Sequence, residues 1–231
     1  MGRFNQTIGK EYEIGKILQG ILSFVEFICL FQCYDNSGNV LPRRICQAPI
    51  KIDEFNKLVL IMPCYQLGSV RNYPWRGSDT PILISLLKQL VFSCYIVYLK
   101  VGFLHSDLHL DNVLFTETRD EYINYSPEIS VKSQGYQIVM MDFEMSFVGI
   151  QNTRDNRKLI WNDYLTTFIR LYELKTISPI GLEPILAFLN QARIELYPLN
   201  RIGDLIDLID NLNFKNADLT IKVRSYNPNM F

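Results

Sequence analysis

The amino-acid sequence predicts an α+β protein, on three observations. Runs rich in aromatic and branched residues stand at 24–34, 57–65, 113–115 and 136–141, in the earlier part of the chain. A long apolar segment from Pro81 to Leu99 repeats with helical period. Beyond Asp142 everything reads as helix. Strands gathered early and helices gathered late indicate segregated elements rather than alternating ones.

The first element is a helix over 10–20, where Tyr12, Ile14, Ile17, Leu18 and Ile21 recur at roughly helical spacing and Gly20 marks the end. Phe24 to Tyr34 is a strand stopped by the turn signal Asp35-Asn36-Ser37-Gly38. Residues 39–54 form a loop or hairpin return, and 57–65 is a second strand ending near Pro63. The polar stretch from Gly68 to Asp79 carries Pro74 and Gly77. Pro81 then opens a buried helix whose apolar face is Leu83, Leu86, Leu87, Leu90, Val91, Cys94, Tyr95 and Tyr98. Gly102 ends it. Val113 to Phe115 begins a strand, and Tyr136 to Met141 is another. Residues 116–135, with Pro127 and Gly135, form an inserted loop or extended hairpin between them. Candidate helices cover 156–174, 182–196 and 203–212, punctuated by Pro179, Pro198 and Gly203. The last fifteen residues are peripheral. A division at residue 66 is expected, with 1–66 a small part holding the early helix and strands, and 67–231 a helical part.

Composition excludes several classes. At 48% hydrophobic and 20% charged residues the chain is globular rather than disordered. A net charge of −1, from 23 basic and 24 acidic side chains, gives no polyanion-binding surface, so no nucleic-acid partner is expected. The five cysteines form no CxxC pair, and the two histidines both lie at 105–109, which argues against zinc. Free, mostly buried thiols in a reducing compartment are expected, hence a cytoplasmic protein. No apolar run approaches the ~18 residues that span a bilayer, and no signal pattern opens the chain, so no membrane partner is expected. Met1-Gly2 invites myristoylation, but Gln6 stands where Ser or Thr is wanted. The sequons at Asn5 and Asn124 lack a secretory context. A monomer is expected.

The chemistry concentrates in His105-Ser106-Asp107-Leu108-His109-Leu110-Asp111-Asn112-Val113-Leu114-Phe115. A carboxylate, Asp107, precedes a carboxamide, Asn112, on one loop that runs into an apolar strand. Phosphoryl transfer uses this spacing: the Asp accepts or orients a hydroxyl proton, while the Asn holds a metal ion beside the departing phosphate. A second strand ends in Met141-Asp142-Phe143-Glu144, and Asp142 supplies a further metal ligand. Two oxygen ligands suit Mg²⁺, which keeps several waters and bonds the nucleotide directly. His105 packs the loop against the strand before Phe143, and His109 helps shape the loop. Residues of these types also simply cap turns. The preceding helix, the following strand and the second Asp-Phe strand end distinguish the two cases.

These two pieces resemble the active site of the protein-kinase-like superfamily, and the resemblance covers about 8–210. It implies a protein-kinase-like fold, with a mostly helical large lobe and an incomplete small lobe, and it implies ATP and Mg²⁺ as cofactors. By resemblance, 10–20 is the helix that carries an ion-pairing Glu, here Glu11 or Glu13. Residues 24–34 and 57–65 resemble the last two small-lobe strands. Met62-Pro63-Cys64-Tyr65 resembles the hinge that binds adenine through its backbone, and 81–100 resembles the helix before the catalytic loop. Asp163, in Trp161-Asn162-Asp163-Tyr164-Leu165, resembles the buried helix Asp that anchors the catalytic-loop backbone. It is equally read as a charge favoured by a helix N-terminus. Glu-Tyr-Glu-Ile-Gly-Lys with His-Ser-Asp-Leu-His-Leu-Asp-Asn is also similar to divergent Ser/Thr kinases of large DNA viruses, which would place the protein in a host cytoplasm.

The sequence departs from the family pattern in three places. No G-x-G-x-x-G loop precedes residue 10, and no strand bearing a phosphate-binding Lys is visible. Gly15, Gly20, Lys10 and Lys16 sit on the predicted helix, where the lysines read as solvated charges. Ser106 replaces the Arg that meets a phosphorylated activation loop, which suggests no such switch. Glu144 replaces the Gly after Asp142-Phe143, and no Ala-Pro-Glu follows. The expected activity is therefore ATP-dependent phosphotransfer. Protein Ser/Thr hydroxyls are the first acceptor class and a small-molecule hydroxyl the second. The alternative is a pseudokinase or truncated binding protein with little activity. A plain helical interaction domain leaves 105–115 and 138–144 unexplained.

Overall fold

The structure is a computed structural model that describes residues 3–33 and 57–217. The fold is α+β. Helix α1 spans Arg3–Leu18, strands β1 and β2 span Cys29–Cys33 and Lys57–Ile61, and the long helix α2 spans Thr80–Val101. Strands β3 (Val113–Glu117) and β6 (Tyr136–Met140) enclose the short pair β4 (Tyr122–Asn124) and β5 (Ser130–Lys132). Helix α3 (Arg154–Ile169), strand β7 (Ile177–Ile180), helix α4 (Leu182–Glu195), helix α5 (Ile202–Asp210) and strand β8 (Asn213–Asn216) complete it.

Among the described residues each strand pairs with one antiparallel partner: β1 with β2, β3 with β6, β4 with β5 and β7 with β8. The β3–β6 register sets Val113 opposite Met140 and Glu117 opposite Tyr136. This brings the end of β6 beside the loop that precedes β3. The loop itself follows α2, which ends where Gly102 turns left-handed at φ 63° and donates its N–H to Tyr98 O at 2.8 Å.

The buried stripe of α2 includes Leu83, Leu86, Leu87, Leu90, Val91, Cys94, Val97 and Tyr98, close to the expected face. Gln89 lies within it, fully buried and fully used. Its Nε2 donates to Tyr136 O at 2.9 Å, and its Oε1 accepts the Ile138 N–H at 3.1 Å. One amide side chain thus ties α2 to β6 with both its nitrogen and its oxygen hydrogen-bonded. A continuous apolar core runs from Ile14 and Leu18 through Phe143, Trp161, Tyr164 and Phe168 to Phe214. Tyr164 donates to Val91 O at 3.0 Å, which fixes α3 against α2. A small second cluster of Ile123, Tyr125 and Val131 packs the β4–β5 hairpin onto Phe92 and Ile96 of α2.

Several expectations need correction. The chain after Asp142 is not all helix, because Ile177–Ile180 pairs with Asn213–Asn216. Burial of Ile177 and Phe214 stabilises this pair, and Pro179 is tolerated in an isolated two-stranded ladder. Helix α1 begins at Arg3 rather than near 10, and α3 passes into a 3₁₀ turn at Arg170–Glu173. Phe24 to Ile28 lies outside the strand. Phe24 instead makes a parallel bridge to Met140. An apolar stretch long enough for a bilayer does exist: an 18-residue window within Gly77–Val101 has mean hydropathy 1.9, and 61% of that window is buried inside the protein. Cys94 is buried but Cys64 is exposed, so the thiols are not uniformly interior. The loop expected at 39–54, Cys46, and all of the final segment beyond Ala217 lie outside the described residues.

Candidate active site

Loop 105–112 is held from three sides. From α3, Asp163 Oδ2 accepts the backbone N–H of His105 at 3.1 Å and of Ser106 at 3.0 Å. One turn on, Thr167 Oγ1 donates to Leu108 O at 2.8 Å. From the residue that follows β6, Met141 donates its N–H to Asn112 O at 3.0 Å, and Met141 O receives His105 Nε2 at 3.1 Å. Within the loop, Asn112 Nδ2 donates to Asp107 O at 3.1 Å. These bonds support a strained backbone: Ser106 has φ 64° and Asp142 has φ 65°. Each left-handed non-glycine residue costs on the order of 1–2 kcal/mol and persists only where its neighbours hold it.

Burial decides the protonation of the supporting groups. Desolvation pushes the His105 imidazole below its ordinary range, against the fields of Asp142 and Asp107. Because Met141 O can only accept, the neutral ring carries its proton on Nε2, and buried Nδ1 has no hydrogen-bond partner. Desolvation raises Asp163 to about 6, although the two N–H donors oppose this. Phe143, fully buried, packs its ring against His105, Phe27 and Phe103 with centroids 5.9 Å away, which locks the residue after Asp142.

Helix α1 reaches the same point. The Phe143 N–H donates to Glu11 Oε1 at 3.4 Å. Burial, and then the charge of Asp142, raises the Glu11 carboxyl. Glu13 points to solvent, so of the two alternatives Glu11 is the one at the site. Lys10 is not a free surface charge. Its Nζ donates to Glu144 O at 3.0 Å and lies 4.7 Å from the Phe147 ring centroid. Lys16 instead turns to Gln19. Gly15 is a packing position, since a Cβ there would collide with the Phe27 ring.

The structure therefore gathers Asp107, Asn112, Asp142, His105, Asp163 and Glu11 around one loop and one strand end. His109 lies at its rim, with Nε2 3.6 Å from Asp107 Oδ2 and Nδ1 3.7 Å from Asp111 Oδ2. Met62 is half-buried on the core, Pro63 and Cys64 are exposed, and burial with the Glu26 charge raises Tyr65. Among the described residues no three His, Cys, Asp or Glu side chains form a metal cluster. The oxygen set at the strand end is the Asp142 carboxylate with the Asn112 amide, whose Nδ2 is already committed to Asp107 O. Two oxygens without nitrogen or sulfur fit magnesium and do not fit zinc.

Sequence reasoning missed a charged network beside the loop. Arg71 Nη1 pairs with Asp111 at 2.6 Å, and Nη2 pairs with Glu173 at 3.1 Å. With His109 and Arg170 these residues line a concavity of about 130 Å³, which Asp107, Asn112 and Asp142 do not line. Asp111 stood inside the 105–115 run and could have been singled out. Nothing in the sequence around Arg71 signals its partners.

No protein-family model matches the chain. Over 83 residues the chain is 30% identical to an uncharacterized protein of Caenorhabditis elegans. The match covers 35% of this chain and 28% of the length of that relative.

Proposed function

We propose that the protein is an ATP-dependent phosphotransferase of the protein-kinase-like superfamily, acting on protein Ser/Thr hydroxyls. The observation that carries the reading is the double hydrogen bond from the His105 and Ser106 amides to Asp163. It holds a left-handed turn immediately before Asp107, and His105 ties that turn to the strand that ends at Asp142. Site geometry of this kind is what positioning catalysis requires.

Asp107 would orient the acceptor hydroxyl and take its proton as the oxygen attacks the γ-phosphorus. The bond from that phosphorus to the bridging oxygen breaks, and ADP leaves with the electron pair. Asn112 and Asp142 would hold magnesium, which when bound neutralises charge on the phosphate oxygens. Met62, Pro63, Cys64 and Tyr65 would offer backbone groups to adenine. A small-molecule hydroxyl is the alternative acceptor, through the His109 form of the loop.

A binding protein with little activity is the second reading. It is favoured by Glu11, which among the described residues pairs with no Lys or Arg and is pushed toward its neutral form. Phosphate transfer from radiolabelled ATP to a panel of peptides and small alcohols separates the two. Transfer that vanishes in Asp107→Ala supports the enzyme. Mg²⁺-dependent ATP binding with no transfer to any acceptor supports the second reading, and absence of both overturns the kinase-like assignment.

A further inference from the structure

The inserted residues 116–135 pack on α2 and reach the turn that follows α1. Tyr125 follows β4 at the hairpin and is buried, with its ring 6.2 Å from that of Phe92 on α2. Its hydroxyl lies 3.2 Å from Ser23 Oγ, a buried contact across 102 residues. Ser93 of α2 lies at the same hydroxyl, and desolvation raises Tyr125 to about 12.

Ser23 is itself unusual. It is a buried non-glycine residue at φ 72°, in the turn that joins α1 to Phe24. Its carbonyl accepts the Met140 N–H at 2.8 Å, and Val25 returns an N–H to Met140 O at 2.9 Å. Met140 is fully buried, and the next residue carries both backbone bonds to Asn112 and His105. Asp142 follows directly. The strained turn, the strand end and the acidic residue thus form one rigid path that starts at the Tyr125 hydroxyl.

We propose that the β4–β5 hairpin is a brace for the site and that Tyr125 is a positioning residue, setting Asp142 through Ser23 and Met140. Packing of the hairpin needs only the ring, because Ile123, Val131 and Phe92 already cover it. The hydroxyl is surplus to that packing and sits between Ser23 and Ser93, joining the turn after α1 to α2. A buried hydroxyl left without a partner is costly, so its placement fixes the geometry around it. The functional arm of this inference deepens the phosphotransferase reading and rests on it. The structural arm does not.

The test uses the full chain with Tyr125→Phe and Ser23→Ala, singly and together. Tyr125→Phe keeps the ring and removes only the oxygen. Backbone amide exchange is read at Val25 and Met140, and ATP affinity is read by calorimetry with and without Mg²⁺. Each single variant should speed exchange at both amides by about three- to tenfold, the range of one lost hydrogen bond. The double variant should add little to Tyr125→Phe alone, because removing the hydroxyl already removes its contact with Ser23. ATP affinity in Mg²⁺ should weaken by a similar factor while Mg²⁺-free affinity holds. Unchanged exchange at Met140 overturns the brace, even if the melting temperature falls. Equal loss of ATP affinity with and without Mg²⁺ overturns the positioning role. If the unaltered chain binds no ATP, the phosphotransferase reading fails separately. Exchange at Met140 then decides the brace alone: acceleration upholds it and no change overturns it.

Discussion

Asp163 Oδ2 accepts the Ser106 amide at 3.0 Å, joining residues 57 apart in sequence. The neighbouring His105 amide shares that oxygen, so a single carboxylate on α3 sets the turn that presents Asp107. Removing it leaves two N–H donors without a partner. Asp163→Ala should therefore lower stability by roughly 2–4 kcal/mol, measured by urea unfolding at neutral pH. Asp163→Asn retains an oxygen for the same donors and should cost less than the alanine variant.

The same residue makes a pH prediction. Its folded value is raised to about 6 from 3.8, chiefly by burial. A carboxyl raised on folding contributes stability that is complete below the unfolded value and is lost as pH rises through the folded one. The contribution should fall between about pH 4 and pH 6, by roughly 3 kcal/mol at most. Measured by unfolding curves across this window, the stability of Asp163→Asn relative to the unaltered chain should be lowest in acid and should rise by up to about 3 kcal/mol as pH climbs toward neutrality. A difference that is flat with pH would contradict it.

Glu11 makes the second linkage prediction. Burial and then Asp142 raise it above 4.5, so its charge opposes the folded state as pH rises from there. Glu11→Gln keeps an oxygen for the Phe143 N–H and removes the repulsion. It should be more stable than the unaltered chain at pH 7 in the absence of metal, with a smaller difference at pH 4. A loss of stability at pH 7 would show that Glu11 has a cation partner in solution.

Gly15 and Gly9 form a matched pair on α1. A Cβ at Gly15 meets Phe27, the ring that packs on Phe143, whereas nothing lies within 4 Å of a Cβ at Gly9. Gly15→Ala should cost about 1–3 kcal/mol through forced repacking. Gly9→Ala should gain about 0.5–1 kcal/mol from the stiffer helix. Chemical denaturation of the two variants checks both signs.

Within the loop, fold and chemistry should separate. The Asp107 side chain is 49% exposed, so Asp107→Asn should change stability by less than about 0.5 kcal/mol while reducing phosphate transfer by at least about 10²-fold. Asn112→Ala also loses the bond from Nδ2 to Asp107 O and should cost about 1 kcal/mol of stability. Transfer assays beside melting curves read both effects.

Much of this arrangement was legible in the residues. The 105–115 run is local, so the spacing of Asp107 and Asn112 was visible directly. The helical period of α2 was equally plain, because one helix face repeats in sequence. Asp163 was legible only as two equal alternatives, and burial under loop 105–112 decides between them. Glu11 and Glu13 could not be separated, since two residues on one helix differ only in the face that tertiary packing selects. The β7–β8 pair escaped because Asn213–Asn216 is short, polar and without alternation, and Pro179 argues against a strand. The contact of Tyr125 with Ser23 left no trace, because two distant hydroxyls carry no pattern until the chain folds.

The central claim is that Asp107, Asn112 and Asp142 share one site for ATP and a divalent cation. Calorimetric titration of ATP in Mg²⁺ into the unaltered chain and into Asp142→Ala tests it most directly. The account predicts saturable Mg²⁺-dependent binding by the unaltered chain, weakened at least about tenfold in Asp142→Ala. Binding that is absent from the unaltered chain, or equal in the two proteins, would contradict it.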